Sequence, residues 1–209
     1  MTQNVSQAMM HKLGQTYQYV FAGLLLATLG AGVAFSVASA ITGLLFWGIV
    51  IAEFVVLFAF MKTKNPTWFY TFTAITGVTL VPVLSHYINA GAGNVVFQAL
   101  AMTTLITGGL TYYALNTKKN FLGWGTILFW ILVGLVVLGI INIFIGSTIL
   151  ALAMSAVASV LFSFFIIHDT QQVLYTDIEP IDAAMGMYLN ILNLFLNILN
   201  LLGLNPLDD

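Results

Sequence analysis

Two acidic side chains of this 209-residue chain, Glu53 and Asp169, fall in or beside long apolar runs. A carboxyl group there is expensive and is normally kept for ions, protons or a partner. Glu53 sits past the middle of its run, where hydrocarbon favours the neutral, protonated form. It is either a hydrogen-bonded packing residue or a waypoint for a cation or proton. Asp169 belongs to His168-Asp169-Thr170-Gln171, which closes another run. An acid at a helix C-terminus opposes the helix dipole and calls for compensation from another helix. A third feature is Asn190, Asn193, Asn197 and Asn200, spaced three, four and three apart. At 100° per residue these amides form one stripe. Four amides facing lipid would be prohibitive, so the stripe must look inward. It either bonds neighbouring helices, at about 1 kcal/mol or less each, or lines a hydrated path. Asn190 lies at a depth that Asp169 can reach. Carboxylates and amide carbonyls are oxygen ligands of the kind calcium prefers. This set is too sparse for a tightly bound metal, and conduction requires weak binding.

The elements that must position these groups are membrane spans. Mean hydropathy is +1.02, with 60% apolar and 6% charged residues. Seven runs are long and apolar enough to cross a bilayer: 17–38, 41–60, 68–88, 95–115, 124–145, 149–168 and 183–204. About 20 residues at 1.5 Å each match a hydrocarbon core of about 30 Å. The runs are too long and too uniform for barrel strands. The fold class is therefore an all-α membrane protein, one integral domain over 1–209, a seven-helix bundle with the last helix central because of its amide stripe. The longest non-apolar insert is 170–182. Ala38-Ser39-Ala40 looks like a signal cleavage site, but the preceding run exceeds a signal h-region, so it reads as a retained anchor. Small-residue ridges at Ala151, Ser155, Ser159 and Ser163, and at Thr103, Thr104, Thr107, Gly108 and Gly109, read as helix-packing seams. Span 3 places Thr79, Pro82 and His86 on about one face. Pro82 frees a carbonyl and kinks its helix. His86, near the outer end, is a hydrogen-bonded interfacial residue or part of the interior polar lining with Asn193, Asn197 and Asn200.

All cationic side chains are lysines, at 12, 62, 64, 118 and 119, each between runs. Seven spans put all five on one side, so the positive-inside rule places the N-terminus in the cytoplasm and the C-terminus outside. The acidic insert with Asp177, Glu179 and Asp182 is cytoplasmic, and acids carry little weight in that rule. A net charge of −2 gives no reason to expect nucleic acid as a partner, and the lack of cysteine excludes disulfides and thiolate metal sites. No enzymatic activity is expected. A zinc hydrolase needs about three histidine ligands with carboxylates, a retinal protein needs a lysine within a span, and a transporter shows paired broken helices.

Four segments together carry a resemblance. They are Thr76-Gly77-Val78-Thr79-Leu80-Val81-Pro82 with Ser85-His86-Tyr87; Val95-Val96-Phe97-Gln98-Ala99 leading to Thr103; Asp169-Thr170-Gln171; and Tyr188-Leu189-Asn190 with Asn193-Leu194-Phe195. Over nearly its whole length the chain resembles the transmembrane Bax inhibitor motif (Bax inhibitor-1-like) family, in particular its bacterial pH-sensitive calcium-leak members. The resemblance implies seven helices with the last wrapped by six, calcium as permeant ion, no cofactor, and a bacterial inner membrane. It also implies a hydrogen-bonded aspartate pair at the cytoplasmic mouth whose shared proton biases closed and open arrangements. Asp169 matches the first aspartate, but the second position is Asn190. An amide donates to an ionised Asp169 and favours its charge. The expected gating is weaker than that of a carboxylate pair, or displaced to more acidic pH. The family's basic latch after helix 2 corresponds to Lys62 or Lys64. The alternative function that the resemblance implies is an interaction protein. Without passing ions, it would modulate another membrane complex, a protease or a cell-death regulator, through the C-terminal tail and the acidic insert.

Overall fold

The computed structural model describes residues 2–203, with side chains from residue 7; the C-terminal tail lies outside the described residues. Seven α-helices follow one another: α1 (Thr2–Phe35), α2 (Gly43–Thr63), α3 (Pro66–Asn89), α4 (Gly93–Asn116), α5 (Gly125–Ile145), α6 (Thr148–Tyr175) and α7 (Pro180–Gly203). All seven are long and apolar enough to cross a membrane, and among the described residues there is no strand. The protein is an all-α, seven-helix integral membrane protein. More of α7 is buried than of any other span, 44% against 33% for α3 and 6% for α5. The helix carrying the amide stripe is the one most withdrawn from its surroundings.

Local chemistry sets the helix ends. Pro66 opens α3 at a position where its missing N–H is no loss, and the Asn65 side chain accepts from the Thr67 N–H at 2.9 Å. Gly146 takes a left-handed φ of 69° to end α5. Asn142 then spans the turn, donating to the Ser147 carbonyl and accepting its N–H, while Ser147 Oγ accepts from the Leu150 N–H to start α6. Several helix limits differ from the sequence reading: α1 already begins at Thr2, well before the expected run at 17, and α7 begins at Pro180. Helix α1 stops at Phe35, and a 3-10 turn over Ala38–Ala40 follows. Helix α6 runs on to Tyr175, so most of the expected insert is absent and only residues 176–179 separate α6 from α7. The polar stretch after His168 reads as loop, yet Thr170 and Gln171 are buried within a continuous helix.

The helices fall into two compact units. The first comprises Met1–Gly93 with Ile178–Tyr188 and the second Asn94–Asp177 with α7 from Leu189 onward. In the first unit α1 and α3 touch backbone to backbone. A Cβ on Gly77 would run into the Ala27 carbonyl, and one on Gly30 into the Ala74 carbonyl. That seam was not among the expected ridges. The expected α4 ridge is corrected in turn. Gly108 and Gly109 are exposed and a Cβ on either would meet open space, so they form no close seam within the chain. In the second unit Ala114, Phe121 and Ile167 form a small core against Leu110 and Phe164, and Trp124 stacks on Phe164 at 5.4 Å.

Candidate functional site

The second unit brings Asp169 and Asn190 together. Asn190 Nδ2 donates to Asp169 Oδ2 at 2.7 Å, and His168 Nδ1 lies 2.9 Å from Asp169 Oδ1. Both carboxylate oxygens are thus engaged by side chains, one from each of two helices. Asp169 and His168 expose only 13% and 12% of their side chains, and Asn190 is buried. The helix-dipole expectation needs correction. Asp169 is not at a C-terminus but six residues before one, because α6 continues to Tyr175. Its compensation is local: Asn190 donates to one carboxylate oxygen and His168 meets the other. Helix α7 begins at Pro180, three residues before the expected run, so Asn190 lies about three turns into it.

The pair is braced from below. Gln171, buried, accepts the Phe121 N–H at 2.7 Å and donates to the Lys119 carbonyl at 2.8 Å. This ties the α4–α5 connection to α6 two residues from Asp169. Gly125 fits beside the imidazole, since a Cβ there would lie 3.0 Å from His168 Nε2. Neither His168 nor Gln171 stood out in the sequence as part of a site. The available signal was their place in the same polar turn as Asp169.

Further along α7 the stripe divides in two. Asn200 Nδ2 donates across to Ser155 Oγ on α6 at 2.8 Å. Asn193 and Asn197 instead donate back to their own helix, to the carbonyls of Leu189 at 2.7 Å and Asn193 at 2.8 Å. All three border a cavity of about 240 Å³ walled by α5 and α6.

In the first unit Glu53 meets two threonines of α3. Thr76 Oγ1 lies 2.7 Å from Oε1 and Thr79 Oγ1 3.0 Å from Oε2. Each hydroxyl also lies at bonding distance from a carbonyl of its own helix, Phe72 O at 2.9 Å and Thr76 O at 3.0 Å. A hydroxyl has one proton and cannot serve both acceptors at once. A protonated Glu53 would donate to one threonine and let that threonine bond its own backbone. Tyr188, fully buried, packs edge-on against Phe69 and Phe72 with centroids 6.1 Å away.

The remaining candidates land elsewhere. His86, expected on the interior lining, is exposed near the end of α3 with its ring against Tyr87, so that placement is corrected. Lys64 Nζ lies 2.8 Å from Asp182 Oδ1 in the first turn of α7, and Lys62 is exposed at the end of α2. Among the described residues no group of three or more His, Asp or Glu is placed to hold a metal ion.

Residues 9–206 match the family described as "Inhibitor of apoptosis-promoting Bax1". The chain is 40% identical over 201 residues to an uncharacterized protein of Campylobacter jejuni, covering 90% of this chain and 86% of that one. It is 37% identical over 195 residues to an uncharacterized protein of Helicobacter pylori, covering 90% and 84%. It is also 35% identical over 146 residues to a Golgi anti-apoptotic protein of vaccinia virus, covering 68% and 60%.

Proposed function

The chain belongs to the Bax inhibitor-1-like family, and from that premise we propose that it is a calcium leak channel modulated by pH at Asp169. The observation that carries this reading is the Asn190–Asp169–His168 contact, in which a partly buried carboxylate is gripped from α7 and from its own helix. Such a contact changes strength with the charge of the acid. It therefore provides an element that protons can bias between two arrangements of the helices carrying it. Calcium would pass as a weakly held ion through amide and carboxylate oxygens. The surrounding partner is the lipid bilayer, in this reading a bacterial inner membrane with the N-terminus in the cytoplasm. The bacterial relatives and the lysine distribution support that location.

The amide at 190 gives the reading its test. With one acid instead of two, the pH response is shallow or lies at acid pH. Asn190→Asp restores a pair that shares a proton, and its calcium flux into liposomes should respond more steeply, with a midpoint at less acidic pH. An unchanged profile counts against Asp169 as the pH-responsive group. Absence of calcium flux at every pH from well-folded protein removes the channel reading. A second reading, an interaction protein acting on another membrane complex, draws on the vaccinia relative's name. A stable co-purifying membrane partner together with zero flux would favour it.

A further inference from the structure

We propose that the cavity beside the second half of α7 is an aqueous, cation-preferring vestibule whose ligands are the neutral side-chain carbonyls of Asn193, Asn197 and Asn200. The leak reading left open whether these amides are helix glue or a wet lining, and the bonds separate the two. Asn200 alone bridges to α6, through Ser155. Asn193 and Asn197 each spend one amide N–H on their own helix and, among the described residues, have no side-chain bond to another. Among the described residues no donor reaches the Oδ1 atom of any of the three, and none of these oxygens is sealed from solvent. Two amides that glue nothing, with unpaired acceptors, are not stabilised by a dry site; an unsatisfied buried acceptor costs about 1–3 kcal/mol.

Water resolves the imbalance, and the space admits it. About 240 Å³ is room for several waters at about 30 Å³ each. One wall is apolar, with Leu132 and Phe162 among its members, and the other is the amide edge. The charge pattern then sets the ligand class. Neither α5 nor α7 from Leu189 to Gly203 carries an ionisable side chain, and on α6 only His168, Asp169 and Tyr175 do, all C-terminal to the cavity residues. Carbonyl oxygens without a neighbouring charge favour cations by their dipoles alone. With no carboxylate in the lining, the vestibule takes hydrated monovalent and divalent cations alike. Its role as part of a path rests on the leak reading; its hydration does not.

The native chain contains no cysteine, so single cysteines can be introduced without background. A cysteine thiolate attacks the sulfenyl sulfur of a methanethiosulfonate reagent, forming a mixed disulfide and releasing methanesulfinate, and that thiolate forms where water stabilises it. Asn197→Cys and Asn193→Cys break no bond between helices, which protects folding. Leu105→Cys, exposed on α4, is the lipid-facing control, and Ala90→Cys, in the α3–α4 turn, is the aqueous one. In membranes, both cavity cysteines should react with a water-soluble cationic reagent within about 100-fold of the rate at Ala90→Cys, while Leu105→Cys stays silent. Normalised to Ala90→Cys, the cationic reagent should react measurably faster than an anionic one of equal size, the direction that carbonyl dipoles favour. Cavity cysteines as silent as Leu105→Cys, or modified only by a lipophilic neutral maleimide, would show a lipid-filled groove and overturn the proposal. Equal rates for the two charges would overturn the cation preference. Labelling without calcium flux would defeat the leak reading and leave the vestibule standing, whereas flux without labelling would do the reverse.

Discussion

Gln171 decides more about the site than its plain polar character implies. Its single amide satisfies one N–H and one carbonyl of the segment between α4 and α5, and it is buried. Gln171→Leu keeps the volume but leaves Phe121 N–H and Lys119 O without that partner. The Phe121 N–H is buried, and orphaning it costs about 1–3 kcal/mol, while the Lys119 carbonyl belongs to an exposed residue, so the variant should lose about 1–3 kcal/mol, visible as a lower melting temperature in detergent. Gln171→Glu keeps the acceptor for Phe121 N–H but sets a buried carboxyl oxygen against the Lys119 carbonyl, so it should lose at least as much. At this scale the Asp169–Asn190 contact was legible beforehand, because an acid and an amide stripe in hydrocarbon both demand partners. The partners of Glu53 were not. Thr76 and Thr79 look like any threonines in a span, which ordinarily bond back to their own helix, and these two do that while also reaching the carboxyl group. Nothing in their spacing separates the two uses.

At the scale of elements, the close seam is made by α1 and α3. Gly77→Ala puts a methyl against the Ala27 carbonyl, and backbone cannot yield as a flexible side chain can. Overpacking of this kind costs about 1–3 kcal/mol, so the variant should unfold at lower temperature or denaturant. Gly108→Ala on α4 meets open space and removes a glycine from a helix interior. It should be neutral or stabilise by about 0.5–1 kcal/mol. A greater loss from Gly108→Ala than from Gly77→Ala would reverse the assignment of the seam. The existence and number of helices could be read from apolar run length alone. Their ends could not, because Thr170, Gln171 and Gln172 have the composition of a loop and become helical through burial in the second unit. Helix α6, at 28 residues, is about 42 Å long at 1.5 Å per residue. Its excess over the hydrocarbon core carries Asp169 toward the interface.

For the molecule as a whole, the lysine distribution gives an expected orientation. Lys118 and Lys119 lie in the α4–α5 connection and Ala90–Ala92 in the α3–α4 turn, so the two segments should open on opposite faces of the membrane. In the cysteine-free background, Lys118→Cys should be labelled by an impermeant maleimide only from the cytoplasmic side, and Gly91→Cys only from the other. Labelling of both from one side would break the seven-span assignment. Fold class was the most legible property, since few physical solutions exist for a chain this apolar. The distribution of burial among the spans was legible only for α7, whose amides forbid lipid. Nothing in the composition of α1 marks it as the partner that α3 touches through glycine.

Lys64 ends α2 in a left-handed conformation, φ 53°, that a glycine would adopt freely. Keeping a side chain there costs about 1–2 kcal/mol, and a half-exposed ion pair returns about 0–1 kcal/mol. The link from Lys64 to Asp182 at the start of α7 therefore adds almost nothing to the permanence of the fold. A fastening with no net hold can be undone and remade by thermal motion, which suits a joint that has to move more than it suits a brace.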